Sequence, residues 1–275
     1  MSWLARPASD TQITHRQRLW LYVLTALVLA FLVVPTLIVV PMSFSASQYL
    51  EFPPREWSLR WYRNYFSSPA WMQATATSFL AGGLTTLVAT PLGTLAAYGL
   101  FVSRVRSVRF IQTLMLTPII VPVILVAVGV FYVYAKLKLV NSLTGIVLAH
   151  SMLALPLVML VVGSALKSYD MNQEMVARSL GASRARAFFT VTLPQIRFSL
   201  VSAALLSFLT SFDEVILALF IAGGDNSTLT RNMFNALRDQ IDPTIAAIST
   251  LMIAVTSLGL VLVQLYGNAG RAHGR

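Results

Sequence analysis

Two adjacent carboxylates, Asp213 and Glu214, lie inside the apolar run SFDEVILALF, where a carboxylate could attract a cation. A charged side chain at membrane depth costs about 3 kcal/mol on insertion scales, and it usually faces a bundle interior or a wet path. If a helix begins near Ser199, Asp213 lies about 21 Å along it, past the middle of a ~30 Å bilayer core towards the outside. Adjacent helical residues point about 100° apart, so the two carboxylates need not share a role. The pair predicts either a cation-attracting site in a passage or a structural ion pair with a neighbouring helix.

The three histidines are His15, His150 and His273, and only His150 lies in an apolar run. Such an imidazole is usually a buried group that a neighbouring helix satisfies, and the alternative is a group that lines a pore. The sequence contains no phosphate-binding GxxxxGK[ST], no HExxH and no GxSxG. We therefore expect no catalytic residue, no metal site and no cofactor in this chain.

The composition is that of a membrane protein. Hydrophobic residues make up 56% of the 275 residues and charged residues only 11%, whereas a soluble domain carries about 25% charged residues. Five charge-free intervals each exceed the ~20 residues that a helix needs to cross a bilayer, and a sixth apolar run is broken only by the two adjacent carboxylates. The pattern predicts an all-α membrane protein with six transmembrane helices. The predicted helices are about 19–42, 74–101, 110–135, 143–166, 199–222 and 244–267.

The distribution of Lys and Arg predicts the orientation of these helices. With the N-terminus inside, 13 of the 20 basic residues fall in inner segments and seven in outer loops. Because inner loops are enriched in Lys and Arg, both termini and the loop at 167–198 are predicted to be cytoplasmic. The net charge of +10 then follows mainly from topology, and we expect no binding of nucleic acid, since no basic stretch is interleaved with aromatics on a soluble domain.

The predicted domain organisation has three parts: a cytoplasmic tail at 1–18, a transmembrane domain at 19–267 and a second cytoplasmic tail at 268–275. No small-residue cleavage site follows the first apolar run, so its helix is expected to remain as an anchor. The outer loop at 43–71 is rich in aromatic residues. These indicate an interfacial belt, with a substrate-facing cap or a docking surface as the alternative.

Small residues and prolines predict local features of two of the helices. Gly82, Gly83 and Gly93 give the second helix a small-residue face for close packing. Pro118 and Pro122 lie four residues apart in the third helix and should distort it, because each removes a backbone donor.

The segment 174–194, EMVARSLGASRARAFFTVTLP, is cationic and lies between two membrane-length apolar runs. The stretch from Asp170 to Arg186 is predicted to form one or two short helices, with Asp170 or Asn172 as the N-cap. Gly181 is expected at a helix end, where a positive φ costs glycine nothing.

The residues Glu174, Ala177, Arg178 and Gly181 follow the helical spacing i, i+3, i+4, i+7 and therefore share a face. On this reading, Ala177 and Gly181 let a partner's groove approach closely, and Glu174 and Arg178 form ion pairs at its rim. The alternative is an amphipathic helix on the membrane surface. Low apolar content, and Pro194 placed to begin the next membrane helix, favour docking.

The spacing of Ala177, Gly181, Val191, Leu193 and Pro194 resembles the cytoplasmic coupling loop of ABC-importer permeases. That loop is written EAA, three residues, Gly, nine residues, Ile-x-Leu-Pro. Here Met175 stands at the family's Glu position, and the acidic residue is one position earlier. The resemblance assigns contact with an ATPase to Glu174, Met175, Ala177, Arg178, Gly181, Ala182, Leu193 and Pro194.

The resemblance extends over almost the whole chain, through WSLRWYRNYF, TPIIVP, the 174–194 loop, SFDEVILALF and IDPTIAAISTLMI. These stretches resemble the second permease of spermidine/putrescine-type importers. It implies a type I ABC-importer permease fold in the bacterial inner membrane. It also implies a heterodimer with a second permease subunit, two ATP-binding subunits that bind ATP and Mg and hydrolyse the ATP, and a periplasmic solute-binding protein. The chain itself would be a non-catalytic subunit working by alternating access. Asp213, Glu214 and His150 are the residues we then expect along the substrate pathway.

Several alternatives to a polyamine importer remain. The same architecture could import an opine, ferric iron or a phosphonate. An ATP-independent secondary transporter or channel would need its own coupling-ion site and usually more helices or an inverted repeat. A membrane-embedded enzyme would need an acid-base pair or a metal-ligand cluster at membrane depth, which the sequence lacks.

Overall fold

The computed structural model of the chain describes residues 14–103, 105–239 and 241–272. The sequence predictions that fall outside the described residues concern 1–13, Arg104 and 273–275. The described part of the chain is mainly helical, and an isolated antiparallel bridge joins Ser45 and Trp57.

The long α-helices follow the predicted apolar runs, and further short helices lie between them. In chain order they are α1 (Leu19–Met42), α2 (Arg60–Ser67), α3 (Pro69–Val102), α4 (Val108–Ile120), α5 (Val123–Leu137), α6 (Leu143–Ser168), α7 (Asn172–Ser179), α8 (Arg184–Ala187), α9 (Leu193–Gln195), α10 (Arg197–Phe212), α11 (Ile216–Ile221), α12 (Leu229–Asp239) and α13 (Thr244–Ala272). The predicted outer loops contain the short helices α2 and α12, and the predicted third and fifth helices are each divided in two.

The described residues form two compact units, and the first contains α1, α2 and most of α13. Helix α1 is apolar on all sides and has no buried residue. Helix α2 is held to the preceding loop by Trp61, whose Nε1 donates to the carbonyl oxygen of Ser47 at 3.1 Å. Asn64 Nδ2 donates to Thr244 Oγ1 at 2.8 Å, so α2 is also joined to the start of α13.

The second unit is built around α3, α6 and α10, which pack against one another along much of their lengths. The small residues of α3 explain the close approach. A Cβ at Gly93 would lie 2.7 Å from Cγ1 of Val158 on α6, and one at Gly82 would lie 2.8 Å from Cε2 of Phe208 on α10. Gly83 has nothing within 4 Å of its Cβ position. The predicted small-residue face is therefore confirmed at Gly82 and Gly93.

The predicted third helix is broken. Helices α4 and α5 meet at an angle of 97°, and the backbone leaves the helical region at Val121 (φ −73°, ψ 132°). The residue before a proline is disfavoured in the α region, and Pro122 imposes this on Val121. The two prolines therefore do more than distort a helix, since the single span expected at 110–135 is two helices.

By length and apolar composition, the described residues contain three to five candidate membrane spans. Among the described residues, α1, α3 and α6 are long and apolar enough to cross a membrane. The count rises to five if each of two bent pairs is one span, and Thr244–Leu258 is a shorter apolar helix. The six-span count and the cytoplasmic position of the termini stay predictions.

Candidate functional site

The cationic segment folds into two short helices, α7 and α8, as predicted. The N-cap of α7 is Met171, which lies between the predicted Asp170 and Asn172. Asp170 Oδ1 accepts a hydrogen bond from the backbone N–H of Asn172 at 3.0 Å, at the start of α7. Ser183 Oγ accepts from the backbone N–H of Arg186 at 3.3 Å and caps α8. These side chains satisfy donors that a helix end leaves without partners.

Helix α7 ends in a Schellman motif centred on Gly181. The N–H of Gly181 donates to the carbonyl of Arg178 at 3.0 Å, and the N–H of Ala182 donates to the carbonyl of Ala177 at 3.1 Å. This pair of bonds requires a left-handed residue at the first position after the cap, and Gly181 has φ +94°. The positive φ predicted for Gly181 is confirmed.

The outward face of α7 (Met175, Val176, Ser179 and Leu180) is exposed and largely apolar. The exposed fractions are 54% for Met175, 57% for Val176 and 83% for Leu180. Arg178 is also exposed, and Ala177 is half-buried. Exposed apolar patches mark sites of contact with another protein or with a membrane, and the docking role of α7 stays a prediction.

The interpretation of Glu174 as a rim residue is wrong. Glu174 is 1% exposed and turns towards the bundle. Its Oε1 accepts a hydrogen bond from the hydroxyl of Tyr98 at 2.6 Å, and its Oε2 accepts one from Oγ1 of Thr192 at 2.7 Å. A buried carboxylate needs such donors. Arg178, which the helical spacing grouped with Glu174, is exposed instead. The exposed Met175, at the family's Glu position, faces outward instead.

Behind α8 the chain forms a π-helical turn, Phe188–Thr192, and then the three-residue helix α9. Leu193 packs against a buried cluster that includes Phe188 and Ile196, whereas Pro194 is exposed in the first turn of α9. The path then bends by 80° before α10. The next long helix therefore begins at Arg197, and Pro194 lies ahead of the bend.

The two acidic residues are not inside a continuous helix, which corrects the helix predicted at 199–222. Helix α10 ends at Phe212, and α11 begins at Ile216. Glu214 is half-buried, and its Oε1 accepts from the backbone N–H of Leu217 at 2.8 Å. This carboxylate therefore caps α11 by occupying a donor that the new helix leaves free. Asp213 is exposed.

His150 lies inside the second unit, 1% exposed. Its Nδ1 is 2.7 Å from Oγ of Ser211 on α10, and that hydroxyl donates to Oγ1 of Thr85 on α3 at 3.3 Å. The Nε2 atom is buried and has no hydrogen-bond partner among the described residues. These contacts match the expectation of a buried imidazole that a neighbouring helix satisfies, and the pathway role stays a prediction.

The sequence interpretation did not find Tyr98 and Thr192, the two donors to Glu174. Tyr98 lies four residues before the end of α3, where a tyrosine at the end of an apolar run ordinarily indicates an interfacial residue. Thr192 lies between the Val191 and Leu193 positions of the family pattern, and nothing in its spacing indicates an inward hydroxyl. An open cavity of about 730 Å³ was also not predicted. It adjoins the end of α6 and the start of α7, and its polar lining is Ser164, Ser168, Asp170, Gln173, Gln195 and Ser199.

The described part of the chain combines helices long and apolar enough to cross a membrane with a short helix pair whose outer side is exposed. The chain belongs to the family described as binding-protein-dependent transport system inner membrane component, whose model matches residues 89–269. It is accordingly the permease subunit of an ABC importer, and ATP hydrolysis belongs to a separate partner chain.

Two curated relatives cover most of the chain. The chain is 30% identical over 258 residues to the putrescine transport system permease protein PotI of Escherichia coli K12, covering 91% of this chain and 92% of the relative. It is 28% identical over 239 residues to the spermidine/putrescine transport system permease protein PotC of Haemophilus influenzae, covering 86% of this chain and 92% of the relative.

A solved structure supports the fold. A chain of the bacterial alginate ABC transporter, in complex with an alginate pentasaccharide-bound periplasmic protein, aligns with a TM-score of 0.71 and 15% identity. The alignment covers 94% of this chain and 96% of that chain. At this identity the likeness establishes a type I ABC-importer permease fold and carries no information about the solute.

Proposed function

We propose that this permease subunit imports polyamines, such as putrescine and spermidine, or related small cations across the bacterial inner membrane. It would form a heterodimer with a second permease subunit. Two ATP-binding subunits would sit on the cytoplasmic side, and a periplasmic solute-binding protein would deliver the substrate. The printed names of both curated relatives, one for putrescine and one for spermidine and putrescine, support the substrate class.

The observation that carries the coupling proposal is the outward face of α7. Met175, Val176 and Leu180 are exposed, and the Schellman motif at Gly181 fixes the end of the helix that presents them. An ATPase groove that receives these side chains would bury apolar area, which is the main favourable term in association. Closure of two ATPases on ATP would then move α7 and reorient the permease pair by alternating access.

The exposure of Asp213 supports a cationic substrate. With Glu214 engaged in capping α11, Asp213 is the carboxylate of the pair whose charge is available to a solute. An exposed carboxylate at a broken helix, in a chain with net charge +10, would offset part of the electrostatic repulsion that a polycation meets. An opine, ferric iron or phosphonate importer is the alternative, and the solute bound by the associated binding protein distinguishes them.

The coupling proposal is tested by purifying the tagged permease with the products of neighbouring genes and measuring how much ATPase is retained. Leu180→Glu places a charge on the apolar outward face and should abolish retention. Leu59→Glu is the matched control, because Leu59 is also exposed but lies in the loop before α2. Equal retention by both variants, or no ATPase with the unmodified chain, would contradict the proposal.

The substrate proposal is tested on the associated binding protein. Isothermal titration with putrescine, spermidine, a phosphonate, an opine and a ferric complex should give binding of the polyamines alone. Selective binding of one of the other three ligands would assign the importer to that solute class.

A further inference from the structure

Glu174 joins three separate segments through a single buried carboxylate. It belongs to α7, its Oε1 accepts from Tyr98 near the end of α3, and its Oε2 accepts from Thr192 at the end of the π-helical turn. We call these three residues the Glu174 cluster. Among the described residues no Lys or Arg forms an ion pair with this carboxylate, since the one ion pair found is Arg238 with Asp239. The two hydroxyls are therefore the groups that compensate its burial.

The two hydrogen bonds are of the strong kind. At 2.6 and 2.7 Å they have the length of bonds between a hydroxyl and a carboxylate, which are roughly twice as strong as neutral ones. Breaking one would leave a buried carboxylate oxygen without its donor, and an unsatisfied buried group is costly. Helix α7 therefore resists any rotation that withdraws Glu174 from Tyr98 and Thr192.

Tyr98 is itself fixed in the bundle. Its ring is 8% exposed and packs on the ring of Phe188 with centroids 4.4 Å apart. Tyr98 belongs to α3, which approaches α6 at Gly93 and α10 at Gly82. A displacement of α7 thus reaches the helix that contacts both other long helices of the unit. Interior packing of this density transmits strain because it is only slightly compressible.

We infer that Glu174 is a positioning residue that transmits the motion of α7 to α3 through its hydrogen bonds to Tyr98 and Thr192. This inference rests on the proposed docking of an ATPase on the outward face of α7. The two sides of α7 then have different roles. Met175, Val176 and Leu180 contact the ATPase, while Glu174, on the other side, holds the bundle. Loss of the cluster should separate ATP hydrolysis from transport without removing the docking surface.

The experiment compares variants in proteoliposomes that contain the complete transporter and its binding protein. Tyr98→Phe removes only the hydroxyl that reaches Oε1, and Thr192→Val removes the one that reaches Oε2. For each variant the rate of uptake and the rate of ATP hydrolysis are measured together. We expect hydrolysis to continue and the number of substrates moved per ATP to fall about tenfold, as loss of one bond to a charged group predicts.

Matched controls separate coupling from general damage. Thr190→Val makes the same replacement two residues away, where the hydroxyl is exposed and donates to the carbonyl of Arg186. Tyr132→Phe is the control for Tyr98→Phe, because it removes the hydroxyl of an exposed tyrosine on α5. Both should keep the transport per ATP of the unmodified protein. Thr192→Val also tests the cluster independently if Tyr98→Phe fails to assemble.

The outcomes are distinguishable. A complex that hydrolyses ATP and keeps its transport per ATP in both Tyr98→Phe and Thr192→Val would overturn this inference alone. A proportional loss of uptake and hydrolysis in both would also overturn it, because the cluster would then serve only assembly. An unmodified chain that binds no ATPase would overturn the proposed function and this inference with it.

Discussion

Asp213 and Glu214 carry the same functional group in adjacent positions, and the backbone gives them different surroundings. The break between α10 and α11 leaves Asp213 exposed and directs Glu214 to the N–H of Leu217. A carboxylate that accepts a hydrogen bond from an N–H at a helix end stabilises that helix. The exposed charge is available to a solute. The two residues should therefore respond differently to neutralisation.

Asp213→Asn should weaken the interaction with a cationic substrate and leave the fold unchanged. Removing one charge from the pathway is expected to raise the KM for polyamine uptake about tenfold, which corresponds to ~1.4 kcal/mol. The melting temperature in detergent should stay the same, because the carboxylate is exposed. Uptake of labelled putrescine in cells or proteoliposomes measures the first effect, and unchanged uptake would remove Asp213 from the pathway.

Glu214→Ala, unlike Asp213→Asn, should lower the melting temperature of the protein. Loss of a capping side chain costs about 1 kcal/mol, which lowers the melting temperature of a chain of this size by about 2–4 °C. Thermal unfolding in detergent measures it, with Asp213→Ala as the matched control. If Asp213→Ala destabilises as much as Glu214→Ala, the assignment of the cap is incorrect.

The residue types were predictable from the sequence, but their orientation was not. The acidic pair, Gly181 and His150 could each be selected from type and spacing. The helical period groups Glu174 with Ala177 and Arg178, but only Glu174 is fully buried, because periodicity cannot say which side of a short helix faces inward. That choice is made by Tyr98, 76 residues earlier in the chain. A long-range hydroxyl partner leaves no local signal.

Among the elements, breaks in helices are where sequence interpretation fell short. The bounds predicted for the first helix, 19–42, match α1 because charged residues precede the run and Pro41 lies next to its last residue. The breaks at Val121 and after Phe212 lie inside apolar runs. Hydropathy averaged over a window cannot resolve them, since the side chains on both sides are equally apolar. The first break has a local cause in Pro122, and the second coincides with the acidic pair.

Gly181→Ala should disturb the end of α7 through its backbone alone. A Cβ at Gly181 would meet nothing within 4 Å, so the cost is that of a left-handed φ, about 1–2 kcal/mol. We expect weaker retention of the ATPase, because the outward face of α7 loses its fixed end. Gly181→Asn is the matched control, since asparagine tolerates this conformation better. Equal retention by the two variants would argue against a role for the motif.

Gly93→Ala tests the contact between α3 and α6. The new methyl would lie 2.7 Å from Cγ1 and 2.8 Å from Cβ of Val158 and 3.2 Å from the carbonyl oxygen of Leu155. A β-branched side chain and a backbone atom cannot move aside cheaply, so overpacking should cost about 1–3 kcal/mol. The measurement is thermal unfolding in detergent. Gly83→Ala, with nothing within 4 Å, should be neutral or slightly stabilising, because alanine favours the helix.

At the scale of the whole molecule, coupling of ATP hydrolysis to transport requires α7 to lie on the cytoplasmic side of the membrane. The excess of basic residues in the inner segments, 13 of 20, predicts that α7 and α8 are cytoplasmic. Docking of an ATPase requires this orientation, because ATP is cytoplasmic. The same count places the loop around Arg55 on the outside. The orientation can therefore be tested without any transport assay.

Single cysteines report the two sides directly, because the chain contains no cysteine of its own. Ala185→Cys lies on the exposed surface of α8, and Arg55→Cys lies in the exposed part of the first outer loop. In intact cells a membrane-impermeant maleimide should label Arg55→Cys and spare Ala185→Cys, and in inverted vesicles the pattern should reverse. Labelling of Ala185→Cys in intact cells would put α7 and α8 outside, where no ATPase could reach the outward face of α7.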